Sequence, residues 1–222
     1  MSISVITRIL TVVGMSCLAM SLLAAPGDLD ITFGGAGKVL TAILPVGGSA
    51  TANSVIQQVD GKLVAAGSSL DTGSIVSFAL VRYNSNGSLD TTFGGTGKVT
   101  TTIYPTTSNS VANSVIQQAD GKLVAAGFSP SGIALVRYNF DGSLDTSFDN
   151  DGIAITPITN AFNSRANSVI QQVDGKLVVV GYCVTSDGYD YYYSIVLVRY
   201  NVNGSLDASF GNDGITISEA VP

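Results

Sequence analysis

The side chains with most chemical potential in this sequence are acids in close succession. Asp141, Asp145, Asp149 and Asp151 fall in one run, NFDGSLDTSFDNDGI. Acids alternating with Gly are the material of calcium loops, which ligate through carboxylates and carbonyls. The twelve-residue template fails here: counting from Asp141 places Gly152 where a bidentate Glu belongs. Later in the chain only Asp207 and Asp213 return, at the places of Asp145 and Asp151. Solvated turn acids are the reading this favours, and no metal site is assigned. A glycosidase-type pair needs two carboxyl groups facing one bond. Glu occurs once, at Glu219, and most Asp stand in turns beside Gly or Asn.

Other chemistry is removed by what is missing. The chain has no His and two Cys. That excludes Ser-His-Asp and Cys-His machinery, His-bearing zinc sites and four-cysteine metal sites. The Gly-rich runs at Gly34–Gly37 and Gly94–Gly97 lack a following helix and a Lys-Ser/Thr pair, so they do not cradle phosphate. Gly87-Ser88 and its relatives have no nucleophile-elbow pattern. With 10 bases against 16 acids, the net charge is −6. Such a chain lacks the counterion-release drive for nucleic-acid binding. No catalytic residue and no cofactor is assigned.

One segment suggests contact rather than catalysis. DGYDYYYS, residues 187–194, places Tyr189, Tyr191, Tyr192 and Tyr193 together. Exposed Tyr offers large contact area at low entropic cost, so these four form a candidate surface for protein or glycan. The rival reading is an inserted hairpin whose Tyr alternate inward.

The elements that would position these groups come from a repeat. Ala52–Gln58, ANSVIQQ, returns at Ala112–Gln118 and Ala166–Gln172. DGKL returns at Asp60, Asp120 and Asp174, and LVRYN at Leu80, Leu135 and Leu197. GSLD with a following Phe returns at Gly87–Phe93, Gly142–Phe148 and Gly204–Phe210, and an earlier copy is Gly27–Asp30 with Phe33. Each unit reads as short strands rich in β-branched residues, with Asp-Gly or Asn-Gly at the turns. In Asp-Gly turns both residues are expected to tolerate positive φ. Gly, at 25 of 222 residues, exceeds its ordinary share, as many turns require. No stretch after residue 25 sustains a period near 3.6.

The expectation is an all-β, propeller-like repeat of four-stranded antiparallel units, about three blades plus an extra N-terminal strand. A solenoid or irregular stacked array is the alternative. The leading fragment is 27–44 and the units are about 45–104, 105–158 and 159–219. The Leu–Phe pairs, from Leu29 and Phe33 to Leu206 and Phe210, are expected core anchors. Asp90, Asp145 and Asp207 are expected to accept backbone N–H groups in turns. Arg82, Arg137 and Arg199 would lie over apolar surface or pair with a turn Asp. Gly94, Gly97, Gly152 and Gly214 are expected where φ is positive or space is short.

The ANSVIQQ, DGKL, LVRYN and GSLDTTFG succession resembles the delta-60 repeat of bacterial, often exported proteins. The resemblance covers nearly all of residues 27–219. It implies a β-propeller-like fold and no recognised catalytic residue, and the biochemical role of that family is not established. Three units fall short of the four to eight blades with which propellers close. Two chains would supply six, so a homo-oligomer completing the ring is one expectation, and a three-unit arc, open or abnormally tight, is the alternative.

Residues 1–25 read as a secretory signal peptide: Arg8, an apolar run, then Leu-Ala-Ala before Pro26. Residues 26–222 would then be the β-repeat domain, with 9 bases against 16 acids and no transmembrane span. The expected location is secreted or periplasmic. Cys183 would be the one remaining thiol, buried in a strand. The function this supports is an exported structural or binding protein without catalytic activity. The alternative is a hydrolase or lyase with acids in a central channel.

Overall fold

Each repeat unit folds into one four-stranded antiparallel sheet in simple up-and-down order. The computed structural model describes residues 27–44, 48–104 and 109–218. The expected export signal over residues 1–25 lies outside them. The first sheet comprises β1 (Ser49–Gln57), β2 (Leu63–Leu70), β3 (Val76–Tyr83) and β4 (Lys98–Thr101). The second comprises β5 (Val111–Gln117), β6 (Leu123–Ser129), β7 (Gly132–Tyr138) and β8 (Ile153–Thr156). The third comprises β9 (Asn163–Gln171), β10 (Leu177–Ser186), β11 (Tyr191–Tyr200) and β12 (Ile215–Ile217). No helix occurs among the described residues.

The middle strands are apolar on both faces because both faces are covered. All seven residues of β6 and of β7 are buried, which fits near-continuous runs such as LVAAGFS and GIALVRY. One face of the first sheet presents Val64, Ala66, Phe78, Leu80 and Phe93. It packs on Ala112, Val115, Leu123, Ala125, Val136 and Tyr138 of the second. The second sheet's other face presents Val124, Ala126, Ile133, Leu135 and Phe148. It packs on Ala166, Val169, Leu177, Val179, Val198 and Tyr200 of the third. Each sheet therefore has a leading face toward the preceding unit and a trailing face toward the next. Fully burying a Leu, Val or Phe of these layers contributes about 1.5–3 kcal/mol.

The ANS motif makes a β-bulge. The register slips between Ala52 and Ser54, between Ala112 and Ser114, and opposite Val180 and Gly181, so Asn53, Asn113 and Asn167 are the extra residues. Opposite each bulge is a Gly. A Cβ on Gly127 would stand 1.9 Å from the carbonyl oxygen of Val111, and one on Gly181 1.8 Å from that of Arg165.

The Asp-Gly hairpins differ from expectation. Only the Gly takes positive φ, +83° at Gly61 and +86° at Gly121. Gly61 N donates to Gln58 O and Gln58 N to Lys62 O, and the second unit repeats this at Gln118. These are type I turns closed by a left-handed Gly, so Asp60 keeps an ordinary φ and its carboxylate accepts the Lys62 N–H instead.

The leading segment repeats the unit's last turn. Gly34, Gly35 and Gly37 have positive φ, as do Gly94, Gly95 and Gly97. Residues 38–44 follow that turn as β4 and β8 follow theirs, here without a backbone ladder among the described residues. Lacking three sheet strands of its own, the segment leaves Leu29 exposed and Phe33 half-buried, whereas Phe93 and Phe148 are fully buried. Leu29 is thus not the core anchor its sequence position suggested. Cys183 is buried, and burial pushes its thiol pKa up.

Candidate binding surface

The β10–β11 hairpin is longer than its counterparts and carries the tyrosines. Ser186 pairs with Tyr191, Thr185 with Tyr192 and Val184 with Tyr193. Strand alternation then sends Tyr191, Tyr193 and Ile195 to the trailing face of the third sheet and Tyr192 to the other. Tyr191 and Tyr193 are 68% and 69% exposed, and Tyr189, in the turn, is 94% exposed. Tyr191 meets Phe162 edge-on at 5.4 Å between ring centroids, and Tyr193 lies 6.1 Å from Tyr182. The result is a row of exposed aromatic rings along one hairpin.

Tyr192 has a different task. Its hydroxyl donates to Asp187 Oδ2 at 2.7 Å. Asp187 Oδ1 accepts the N–H groups of Tyr189 and Asp190, each at 2.9 Å. The backbone N–H groups of Asp190 and Tyr189 and the Tyr192 hydroxyl hold the Asp187 carboxyl down at about 2. The same bond pushes the Tyr192 hydroxyl upward. Of the four tyrosines, three present their rings and the fourth ties the turn that presents them.

The acid run resolves into separate turn duties. Asp141 Oδ1 accepts the N–H and hydroxyl of Ser143, and Asp151 Oδ1 accepts Ile153 N–H. Asp149 and Asn150 stand at φ +48° and +70°, in the slots that Gly94 and Gly95 fill one unit earlier. Asp and Asn are the non-Gly residues that best tolerate that region. Desolvation, with the Asp151 charge second, pushes Asp149 upward. Among the described residues no three metal-ligating side chains converge.

Asp90, Asp145 and Asp207 are the buried acids. Asp145 Oδ1 accepts Ser147 N–H and hydroxyl, while Oδ2 takes Arg137 Nε at 2.6 Å and Lys122 Nζ at 2.8 Å. The first unit repeats this with Thr92, Arg82 and Lys62, and the third with Ser209, Arg199 and Lys176. Burial pushes Asp90 and Asp145 up, but the Thr92 or Ser147 donors and the paired cations outweigh it, and both end well below the ordinary range. Asp207 is held low chiefly by Lys176 and Ser209. The arginines do both things expected of them: each also lies over a Phe ring, Arg82 on Phe93, Arg137 on Phe148 and Arg199 on Phe210, at 4.6 Å. Arg82 and Arg137 then reach into the following sheet, to the carbonyls of Phe140 and Val202.

Concave surface is modest. The cleft between the second and third sheets, about 280 Å³, is lined by Phe128, Ser129, Pro157, Phe162 and Arg165 among others, with no carboxylate. Arg165 stacks on Phe128 at 3.9 Å. A second cleft lies between the leading segment and the first sheet and also lacks an acid, and a third, beside β10 and β11, has Asp174 alone.

Three consecutive meander sheets stacked face on face, each closed by the same Arg–Asp turn, define the architecture. It is a β-propeller arrangement of three blades. Residues 58–93, 118–148 and 172–210 match the family model described as a domain of unknown function (DUF5122) beta-propeller, one segment per blade. No curated protein matches the chain. Among solved structures, the native arabinanase Arb43A of Bacillus subtilis is similar at 17% identity and a TM-score of 0.40. The likeness covers 75% of this chain and 58% of that one, so the chain spans little more than half the length of that relative.

The sequence pointed to the tyrosines and to the Arg–Asp pairs. It did not point to the bulged Asn residues as ties between blades. The signal was available: Asn53, Asn113 and Asn167 recur where an apolar alternation is broken by one residue.

Proposed function

We propose that the protein is an exported, non-catalytic structural or binding protein that engages protein or glycan through the aromatic ridge of blade three. The observation behind this is the arrangement of Tyr189, Tyr191 and Tyr193: exposed rings on a hairpin whose turn is fixed by the Tyr192–Asp187 bond. Rigid aromatic surface binds at low entropic cost because little conformational freedom remains to be lost. Most of the described carboxylates accept N–H groups in turns, and none of the clefts described above brings two of them together. The delta-60 resemblance, with no recognised catalytic residue, agrees with this reading. The test is a glycan array and an envelope-protein binding assay with the chain and with Tyr189, Tyr191 and Tyr193 all replaced by Ser. Saturable binding lost in the variant, at unchanged melting temperature, supports the reading. Identical behaviour of the two proteins overturns it.

A further inference from the structure

We propose that the trailing face of blade three and the leading face of blade one are the two halves of one interface, completed head to tail by a second copy of this chain. This goes beyond the tyrosine ridge, since it uses the sheet below the hairpin tip.

The argument is the repeat itself. The trailing positions are buried twice within the chain: Val64, Ala66, Phe78 and Leu80 in blade one, then Val124, Ala126, Ile133 and Leu135 in blade two. In blade three the same positions are Val178, Val180, Ile195 and Leu197, still apolar. Yet Val180 is 39% and Ile195 56% exposed, and no described residue covers them. The leading positions behave in mirror fashion. Val115 and Val169 are each 2% exposed, while their blade-one counterpart Val55 is 68% exposed. Both open faces thus retain the apolar composition that the chain's two internal interfaces bury.

The polar contacts of those interfaces are also present as matching halves. Asn53 Nδ2 donates to Ala112 O and Asn113 Nδ2 to Ala166 O; Asn167 is the next in the series. Val59 N donates to Gln117 Oε1 and Ala119 N to Gln171 Oε1; Val173 N and Gln57 are the corresponding donor and acceptor at the two ends. Arg82 and Arg137 reach carbonyls of the next blade, and Ser85 O is the equivalent acceptor for Arg199. Two such contacts related by a two-fold axis form a dimer with both open faces covered.

The leading segment holds part of this ground. Gly34 N donates to Asn86 O at 2.8 Å, as Gly94 N does to Asp141 O between blades. Thr41 meets the Tyr83 hydroxyl at 2.8 Å, as Thr101 meets Tyr138. It is the weaker occupant, with Leu29 and Leu40 left exposed and no strand ladder. A docked third blade brings the same turn with three strands behind it, so it displaces residues 29–44 from blade one.

The experiment is sedimentation velocity of the full mature chain across a hundredfold concentration range. The expected result is a species of twice the chain mass. Ile195→Glu and Val55→Glu each weaken it at least tenfold, with circular dichroism unchanged and with melting unchanged when parent and variant are compared at a concentration where both are monomeric. Mixing the two variants gives a one-to-one complex tighter than either variant alone forms but weaker than the parent, because one of its two contacts is wild-type on both sides while the other carries both Glu. Tyr189→Ser, in the turn beyond the paired strands, dimerises like the parent while ligand binding weakens, which separates this inference from the ligand reading. A chain that stays monomeric overturns it. So does a dimer that survives both Glu variants, or a mixture of them that stays monomeric.

Discussion

Asn113 stands in the bulge of β5, and its amide nitrogen donates to the carbonyl of Ala166 in the next blade, 2.8 Å away. A kink in one sheet is thereby used to tie it to its neighbour. Asn113→Ala removes the donor and leaves a carbonyl in an interface without that partner. The expected loss is about 1–2 kcal/mol in urea unfolding. Asn167→Ala, whose blade has no following sheet in the described chain, is expected to change the isolated chain by less than about 0.5 kcal/mol. Equal costs at the two positions would show that the bulge itself, and not the inter-blade bond, is what Asn supplies.

Gly127 has no such latitude. It faces the bulge, and a Cβ there would lie 1.9 Å from Val111 O and 2.9 Å from Ala112 Cα. Both are backbone atoms of a paired strand in the middle blade, so neither can move without opening β5 from β6. Gly127→Ala is expected to destabilise by about 3 kcal/mol or more, read as a lower denaturant midpoint. Gly95→Ala meets no atom within 4 Å, and its cost is confined to the positive φ of +73°. That cost is about 1–2 kcal/mol.

These contrasts show what in the sequence was legible. The meander is readable because each unit alternates apolar runs with turn residues, and because the same blocks recur three times. The Arg–Asp pair is readable for the same reason: opposite charges at a fixed interval of eight residues, Arg82 with Asp90, Arg137 with Asp145, Arg199 with Asp207. Long-range partners are not readable in that way. Nothing local to Asn113 names Ala166, and nothing local to Gly127 names Val111, since both contacts depend on register and stacking. The acid run misled for a local reason. Asp149 and Asn150 look like ligands in a string of residues, but their backbone conformation shows them in Gly slots. The tyrosines were legible as a cluster but not as a division of labour. The split of Tyr192 from Tyr191 and Tyr193 follows from strand alternation once the hairpin register is known.

Arg137, Arg82 and Arg199 make the same pair in three environments. Arg82 is fully buried and sandwiched between Phe93 and Phe140, Arg137 is nearly as buried, and Arg199 is 21% exposed at the open end. Removing one partner of a buried ion pair strands the other without its counter-charge. Arg82→Ala and Arg137→Ala are each expected to cost about 3–5 kcal/mol. Arg199→Ala leaves Asp207 with Lys176 and some access to water, so about 1–2 kcal/mol is expected. Thermal or chemical unfolding of the three single variants tests the order. A cost at Arg199 equal to the other two would mean that its environment in solution is already closed, as in the dimer.

The two kinds of buried titratable group set opposite pH edges. Asp90, Asp145 and Asp207 are held below the ordinary carboxylate range in the fold, against about 3.9 in an unfolded chain. A depressed carboxyl stabilises the fold above its unfolded pKa and loses that contribution as pH falls through the folded value. Melting temperature should therefore stay level near neutrality and drop as pH goes below about 4. Asp149 is pushed the other way, so its penalty is relieved on acidification, but it stands alone against three. At the alkaline edge, Tyr138 and Tyr200 are fully buried, with hydroxyls bonded to Thr101 and Thr156, and burial pushes both pKa values above the ordinary phenol value. A raised pKa stabilises the fold below the unfolded value of about 10, and that contribution is lost as pH rises beyond it. Calorimetry from pH 2 to 11 should give a plateau with both edges. Tyr138→Phe keeps the acid edge and softens the alkaline one, because the ring still fills the interface while the ionisable hydroxyl is gone. An alkaline edge unchanged in the Tyr138→Phe, Tyr200→Phe double variant would assign it to groups other than the two inter-blade tyrosines.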